Sequence, residues 1–194
     1  MPEPDISPQK AIRPHPRKEY TWHYDSPLGG ITLTSDGAAL TGLWFNGQRH
    51  FADTLSEVHE GKRLPVFDEA ERWLDLYFSG KDPGFTPPLK MNTTPFRKEV
   101  WEIMLTIPFG ETMTYGEIAR ILMKKNGLRR MSAQAVGGAV GHNSIALIIP
   151  CHRVVGANGN LTGYGGGIDR KIRLLAMEGV DMNAFFLPKK RTAS

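Results

Sequence analysis

Reactive sulfur is almost missing from this sequence: its 194 residues include a single cysteine, Cys151. One thiol can neither close an internal disulfide nor build a cysteine-rich zinc site, so it is either inert packing or a reagent. No apolar run approaches the ~20 residues that a bilayer crossing needs. The N-terminus also lacks the charged-then-apolar pattern of a secretion signal, so a cytoplasmic protein with no membrane partner is expected. Internal repeats and low-complexity tracts are absent. A hydrophobic content of 40% suffices for one large or two small buried cores.

Negative charge is missing from one long stretch. Between Ile118 and Ile168 there is no Asp or Glu, while Arg120, Lys124, Lys125, Arg129, Arg130 and Arg153 are all basic. Thirteen of the twenty acidic residues precede position 90. The net charge of +4 is modest, but this asymmetry puts an anion-attracting surface on the second half, as a phosphate backbone requires. A solvated basic face would leave the same mark.

Residues 1–17 are proline-rich with few large apolar side chains and read as a flexible tail. From Tyr20 to Phe45, turn signals at Ser26-Pro27-Leu28-Gly29-Gly30, Asp36-Gly37 and Asn46-Gly47 separate short β-rich runs, which predicts a small antiparallel meander. Ala70, Trp73, Leu74, Tyr77 and Phe78 then fall at the spacing of one buried helical face, so a helix over 67–78 should cover that sheet. Residues 79–88, with three prolines and two glycines, read as an interdomain linker.

Thr94-Pro95 opens the second half as a cap followed by proline at the first helical position. Thr114-Tyr-Gly-Glu117 has the form of a capping box. Ser132 can cap a third helix, Ala133 to Val140, made almost wholly of small residues, and this helix, basic turn and helix resemble a DNA-reading motif. The apolar run Ile145 to Ile149, stopped by Pro150, predicts a buried strand that delivers Cys151 at its end. A glycine-rich loop, Gly163 to Gly167, leads into a last helix over 169–177 that Gly179 ends.

A lone cysteine after an apolar run is by default packing. Here His152 and Arg153 follow at once, two groups that favour a thiolate where the chain leaves the core. Neighbours in an extended chain point to opposite faces, so His152 should act on Cys151 through a water or a local turn. Glu178 sits in a last helical turn, where a negative charge opposes the helix dipole. Either His152 is its tertiary partner, or it is an exposed residue at a frayed end.

The run Pro150-Cys151-His152-Arg153-Val154 resembles the O6-alkylguanine-DNA alkyltransferase family. So do Ala135-Val-Gly-Gly-Ala139 and Asn143 before it, and Gly163-Tyr164 and Glu178-Gly179 after it. The likeness spans roughly residues 20–182. It implies an α+β fold of two domains. The first, residues 18–88, would be an antiparallel sheet with a helix, ribonuclease H-like. The second, residues 89–183, would be a mostly helical, winged helix-turn-helix-like DNA-binding domain, with a tail over 184–194.

By the same resemblance, Cys151 is the nucleophile and alkyl acceptor, His152 deprotonates it through water, and Glu178 orients His152. Asn143 braces the turn before the active-site segment, although Asn143-Ser144 would also serve as an ordinary turn. The Tyr115 hydroxyl meets N3 of a flipped base, the alternative being an aromatic packed at a helix start. Val154 offers its carbonyl to the exocyclic amine, and Tyr164 and Gly165 close the pocket where a backbone N–H meets O6. Ala133, Ala135, Gly137 and Gly138 would let a helix approach the minor groove of double-stranded DNA, or else pack tightly on another helix. Gln134 stands where the family often has an arginine that fills the space of the extruded base, and Ser144 where proline is common. Arg129, Arg130 and Arg153 would meet phosphates.

No cofactor or metal is called for: the glycines of 163–167 lack the lysine of a phosphate loop, and His23, His50 and His59 are not spaced as ligands. The expected protein is a monomeric, self-inactivating DNA alkyltransferase. The alternatives are a lesion-binding protein without catalysis, against which Cys151 argues, and a thiol hydrolase, for which no substrate signature is present.

Overall fold

The computed structural model describes residues 18–187; the tail read into residues 1–17 lies outside the described residues. Strands β1 (Glu19–Ser26), β2 (Gly29–Ser35) and β3 (Leu40–Phe45) form the expected antiparallel meander. A short strand, β4 (His59–Gly61), adds in parallel beside β1, giving the order β3-β2-β1-β4. All three β4 residues are exposed, so no apolar alternation announced it.

Helix α1 (Pro65–Phe78) lays Val66, Phe67, Ala70, Trp73, Leu74 and Tyr77 on the core. Its register against β1 is set by two long-range bonds, Trp22 Nε1 to Glu71 at 2.8 Å and the Tyr24 hydroxyl to Asp75 at 2.8 Å. Residues 79–88 are not a loose tether. The Trp73 indole donates to the Phe85 carbonyl at 3.0 Å, and Leu40 N donates to the Pro88 carbonyl at 2.8 Å, which ties the segment back to the first half.

The second half contains α2 (Pro95–Met104), β5 (Met113–Thr114), α3 (Tyr115–Asn126), α4 (Ala133–Gly141), β6 (Val154–Val155) and α5 (Ile168–Met177). Sequence signals for the helix starts hold. Thr94 accepts from Arg97 N, and Ser132 accepts from Gln134 N at 3.1 Å. Thr114 and Glu117 form the reciprocal capping box, with bonds of 3.1 and 2.7 Å. Among the described residues, the mixed four-stranded sheet, the β5–β6 pair and the five α-helices make an α+β fold, as the resemblance implied.

The expected strand over 145–149 does not form. Ile145 makes one isolated parallel bridge to Leu43, and the chain then coils through consecutive turns with Leu147 at a φ of 66°. The Asn143 side chain braces this coil, donating to the Ile149 carbonyl at 2.7 Å and accepting from Ile145 N at 3.0 Å. A continuous apolar run reports burial, and burial is compatible with either conformation. The expected tail also begins later than 184: Leu161 N donates to the Phe186 carbonyl at 2.9 Å and Phe186 N to the Gly159 carbonyl at 3.0 Å. Residues 188–194 lie outside the described residues.

One apolar cluster runs through both halves, from Ile31 and Phe67 to Trp101, Ile145 and Leu174. Leu74, fully buried in α1, belongs to it. Leu74→Ala should cost about 2–5 kcal/mol. In urea the midpoint should fall, and amides of α1 and α2 should lose protection from hydrogen exchange together, because both helices share that core.

Candidate active site

Cys151 opens a single 3-10 turn, Cys151–Arg153, that leads directly into β6. The parallel pairing of β6 with β5, Met113 against Val154 and Thr114 against Val155, brings Tyr115 at the start of α3 beside that turn. Two short strands therefore place a helix-start aromatic next to a cysteine 36 positions away in the chain.

A cavity of about 290 Å³ lies in front of Cys151. It gathers Tyr115, Gly137, Gly138, Asn143, Tyr164 and Gly165, all candidates from the sequence. Its outer wall was not foreseen: Gln48, Arg49 and His50 come from the first half. Arg49 N donates to the Gly165 carbonyl at 2.9 Å, and the His50 ring stacks on His142 with centroids 4.3 Å apart. These residues follow the Asn46-Gly47 turn, and only the packing of the halves brings them here. The Tyr115 hydroxyl donates to the Thr162 and Gly163 carbonyls, each at 3.3 Å, and burial together with nearby Cys151 pushes its pKa up to about 12. It therefore stays a hydrogen-bond donor at neutral pH.

The thiol is 7% exposed. Burial pushes its pKa up, and the Asn143 side chain and the Lys171 ammonium oppose that without overcoming it. The expectation that neighbouring groups favour the thiolate needs correction for the unliganded protein: desolvation outweighs them because the sulfur sits among apolar side chains.

Behind Cys151 lies a closed polar cluster. His152 Nε2 meets Glu178 Oε1 at 2.5 Å, both side chains being wholly buried. Glu178 Oε2 accepts from Arg153 Nε at 2.8 Å and from Gly110 N at 3.1 Å. Gly110 has a φ of 78°, and a Cβ there would come within 2.9 Å of the Glu178 carbonyl, so glycine is required twice over. Glu178 caps the end of α5, opposed to the helix dipole as the sequence suggested, and its partner is His152. The other ring nitrogen, His152 Nδ1, makes no protein hydrogen bond, and neither does the buried Tyr164 hydroxyl. Burial drives the His152 pKa down against the pull of Glu178, so the imidazole is neutral at pH 7.

Arg153, expected among the phosphate contacts, is instead buried at 8% exposure, bonded to Glu178 and donating to the Ile107 carbonyl at 2.7 Å. A local charge count cannot distinguish a surface arginine from one consumed by a buried carboxylate. Val154 lies behind the cavity, its carbonyl accepting from Lys171 Nζ at 2.5 Å. Lys171 went unnoticed in the sequence. It is fully buried, it also donates to the Thr162 carbonyl at 3.1 Å, and burial pulls its pKa down to about 8. The signal was there: Ile168, Lys171, Leu175 and Glu178 share one stripe of α5, and a lysine on an apolar stripe needs a partner.

The remaining candidates occupy an open face beside the cavity. Ala133, Gln134, Ala135 and Gly138 are exposed, whereas Val136, Ala139 and Val140 turn inward, where the Trp101 indole donates to the Ala139 carbonyl at 2.9 Å. A Cβ on Gly138 would meet nothing within 4 Å, and one on Gly137 would only touch the Tyr115 ring at ordinary contact distance. Tight packing within the protein therefore does not explain these small residues. Arg129 and Arg130 are exposed on the turn before α4. Among the described residues no group of three or more His, Cys, Asp or Glu side chains could hold a metal ion, and no helix is long and apolar enough to cross a membrane.

Comparison with known proteins gives a consistent answer. Residues 20–91 match the family model described as 6-O-methylguanine DNA methyltransferase, ribonuclease-like domain, and residues 95–180 the one described as 6-O-methylguanine DNA methyltransferase, DNA binding domain. A methylated-DNA--protein-cysteine methyltransferase of Mycobacterium tuberculosis is 45% identical over 159 residues, covering 80% of this chain and 92% of the relative. One from Haemophilus influenzae is 38% identical over 160 residues, covering 82% and 86%. The crystal structure of Mycobacterium tuberculosis OGT in complex with DNA superposes with a TM-score of 0.69 at 42% identity, covering 87% of this chain and 94% of that one.

The carboxylate at the centre of the cluster makes stability depend on pH. Burial alone would raise the Glu178 pKa, but the bonds from His152 and Arg153 outweigh it and hold it at about 2. A pKa depressed on folding adds stability above the unfolded value near pH 4.5, and that stability drains away as pH falls towards 2. Glu178→Gln should therefore cost about 3–5 kcal/mol at pH 7, since Arg153 is left buried without its charge partner. In acid titrations followed by circular dichroism, the gap between the two proteins should narrow steadily from pH 4.5 to pH 2.

Proposed function

The chain belongs to the 6-O-methylguanine DNA methyltransferase family, and from that premise we propose that it repairs DNA by moving an alkyl group from O6 of guanine onto Cys151, once and irreversibly. The observation that carries this reading is the position of the only cysteine. It lines a cavity whose mouth adjoins the open, small-residue face of α4, with a buried His152–Glu178 pair behind it.

Double-stranded DNA approaches along α4. Arg129 and Arg130 meet phosphates, and Ala133, Ala135, Gly137 and Gly138 admit the sugar-phosphate backbone closely. The target atom lies within the base stack, so the nucleotide turns out into the cavity, at a cost of a few kcal/mol. Gln134 lines the groove next to Tyr115 and fills the space left in the duplex without contributing charge. In the cavity, the Tyr115 hydroxyl turns its one proton from the Thr162 and Gly163 carbonyls to N3, and a backbone N–H of the Tyr164–Gly165 loop donates to O6.

His152 accepts the thiol proton at Nδ1 through a bridging water, Glu178 steadies the imidazolium that forms, and Asn143 holds the segment that presents the sulfur. The sulfur attacks the alkyl carbon in line, the carbon–oxygen bond breaks, and guanine leaves as an anion stabilised by donors at N3 and O6 until the proton held on His152 neutralises it. The product is a thioether. It has no carbonyl for water to attack, so each chain reacts once. The protein works as a monomer in the cytoplasm, without cofactor.

Mixed with a duplex containing O6-methylguanine, the protein should gain the mass of one methylene on the Cys151 peptide, in a final amount equal to the protein present. Transfer by Cys151→Ser would refute the assignment. Gly138→Leu probes the docking face separately. Its side chain enters open space on an exposed helix, so thermal stability should hold or rise, while affinity for the duplex should fall about tenfold, ~1.4 kcal/mol.

A further inference from the structure

We propose that Tyr77, carried on α1 in the first half of the chain, is a positioning residue that fixes which nitrogen of His152 acts as the base; this rests on the alkyl-transfer reading above. Its hydroxyl lies 2.6 Å from Glu178 Oε1 and 3.1 Å from His152 Nε2. The side chain is fully buried. Its ring is stacked on Trp73 at 5.1 Å and met edge-on by Phe78 and Phe109 at 5.5 and 6.0 Å, so the hydroxyl has one place to be.

A phenol has one proton. An ionised carboxylate accepts only, so Tyr77 spends that proton on Glu178, and towards Nε2 its oxygen can act only as acceptor. Two acceptors then face Nε2, which must carry the ring hydrogen. Nδ1 keeps the lone pair, and Nδ1 is the nitrogen without a protein partner. Burial and the Glu178 charge hold the Tyr77 pKa well above its usual value, so this proton is not lost in the working range.

The hydroxyl also sets how strongly Glu178 grips the imidazole. Oε1 divides its charge between Nε2–H and Tyr77. The groups facing His152 are Glu178, Arg153, Lys171, Tyr77, Tyr164 and Cys151. Without the phenol, Glu178 holds Nε2–H more tightly, which favours the imidazolium. The acceptor lost at 3.1 Å is the lesser half of a shared bond whose other half is 2.5 Å, so the first effect wins and the His152 pKa rises.

The test uses the full chain, a duplex with O6-methylguanine and single-turnover rates from pH 5 to 9. Tyr77→Phe keeps the ring and removes the hydroxyl. It should still put one methyl on Cys151, but about three- to tenfold more slowly on the acidic limb at saturating DNA. The acidic limb of its pH profile should move up by about half to one unit, with the half-saturating DNA concentration unchanged. Phe67→Leu is the control: fully buried in the same helix, it should lower the melting temperature and leave the limb in place. A wild-type rate and limb for Tyr77→Phe would overturn the proposal, and so would an equal shift in Phe67→Leu. Nitrogen chemical shifts of His152 followed against pH in the unmodified proteins test it without any methyl transfer: a higher His152 pKa in Tyr77→Phe than in the wild type supports it, and an equal pKa, or a proton on Nδ1 in the wild type, overturns it. If the wild-type protein moved no methyl to Cys151, the functional reading would fail, while the tautomer measurement would still judge Tyr77.

Discussion

The Glu178 carboxylate is shut away from water and receives hydrogen bonds from His152, Arg153, Tyr77 and the Gly110 amide. Those donors belong to the cysteine-bearing turn, to a helix of the first half and to the loop after α2. An ionised group in such a place is tolerable only when its lone pairs are filled with good geometry. The carboxylate therefore fixes where four separate segments must meet. Removing it would free an arginine, an imidazole and a phenol in the interior at once. The same requirement makes the halves interdependent, because α1 reaches Glu178 through Tyr77 while α5 carries Glu178 itself.

That arrangement also decides how the cysteine is kept. Arg153, which the sequence places two residues after the cysteine, has its charge consumed by Glu178. The cation left to influence the sulfur is Lys171, itself lowered by burial and held by the Val154 and Thr162 carbonyls. The sulfur at rest is dominated by desolvation. Its activation is tied to the relay behind it and to whatever enters the cavity in front, which suits a reagent that can be used only once.

The cavity and the α4 face divide the remaining work. The cavity is walled by contributions from both halves, including the Gln48–His50 segment and the glycine-rich loop that Arg49 N grips. The adjoining α4 surface is bare where it faces outward, with no internal neighbour near Gly138 to explain its missing side chain. A surface kept low without an internal reason is one shaped for something outside the protein.

The elements with a local cause are legible in the sequence. The caps at Thr94, Thr114 and Ser132, the meander turns and the stripe of α1 depend on residues within one or two turns of each other, and all appear in place. Cys151, His152 and Glu178 stood out by the reactivity or misfit of their residue types, whereas Tyr115, Asn143 and Tyr164 were legible only through the family resemblance. The rest depended on tertiary contacts. The 145–149 run could not reveal its coil, since an apolar run records burial alone. Tyr77 looked like any aromatic on a helical face, and only the tertiary fold brings Glu178, at the end of α5, within reach of its hydroxyl. The fate of Arg153 and the first-half wall of the cavity were hidden for the same reason: a charge or a loop acquires its role from groups far away in the chain, and distance in sequence carries no information about which will arrive.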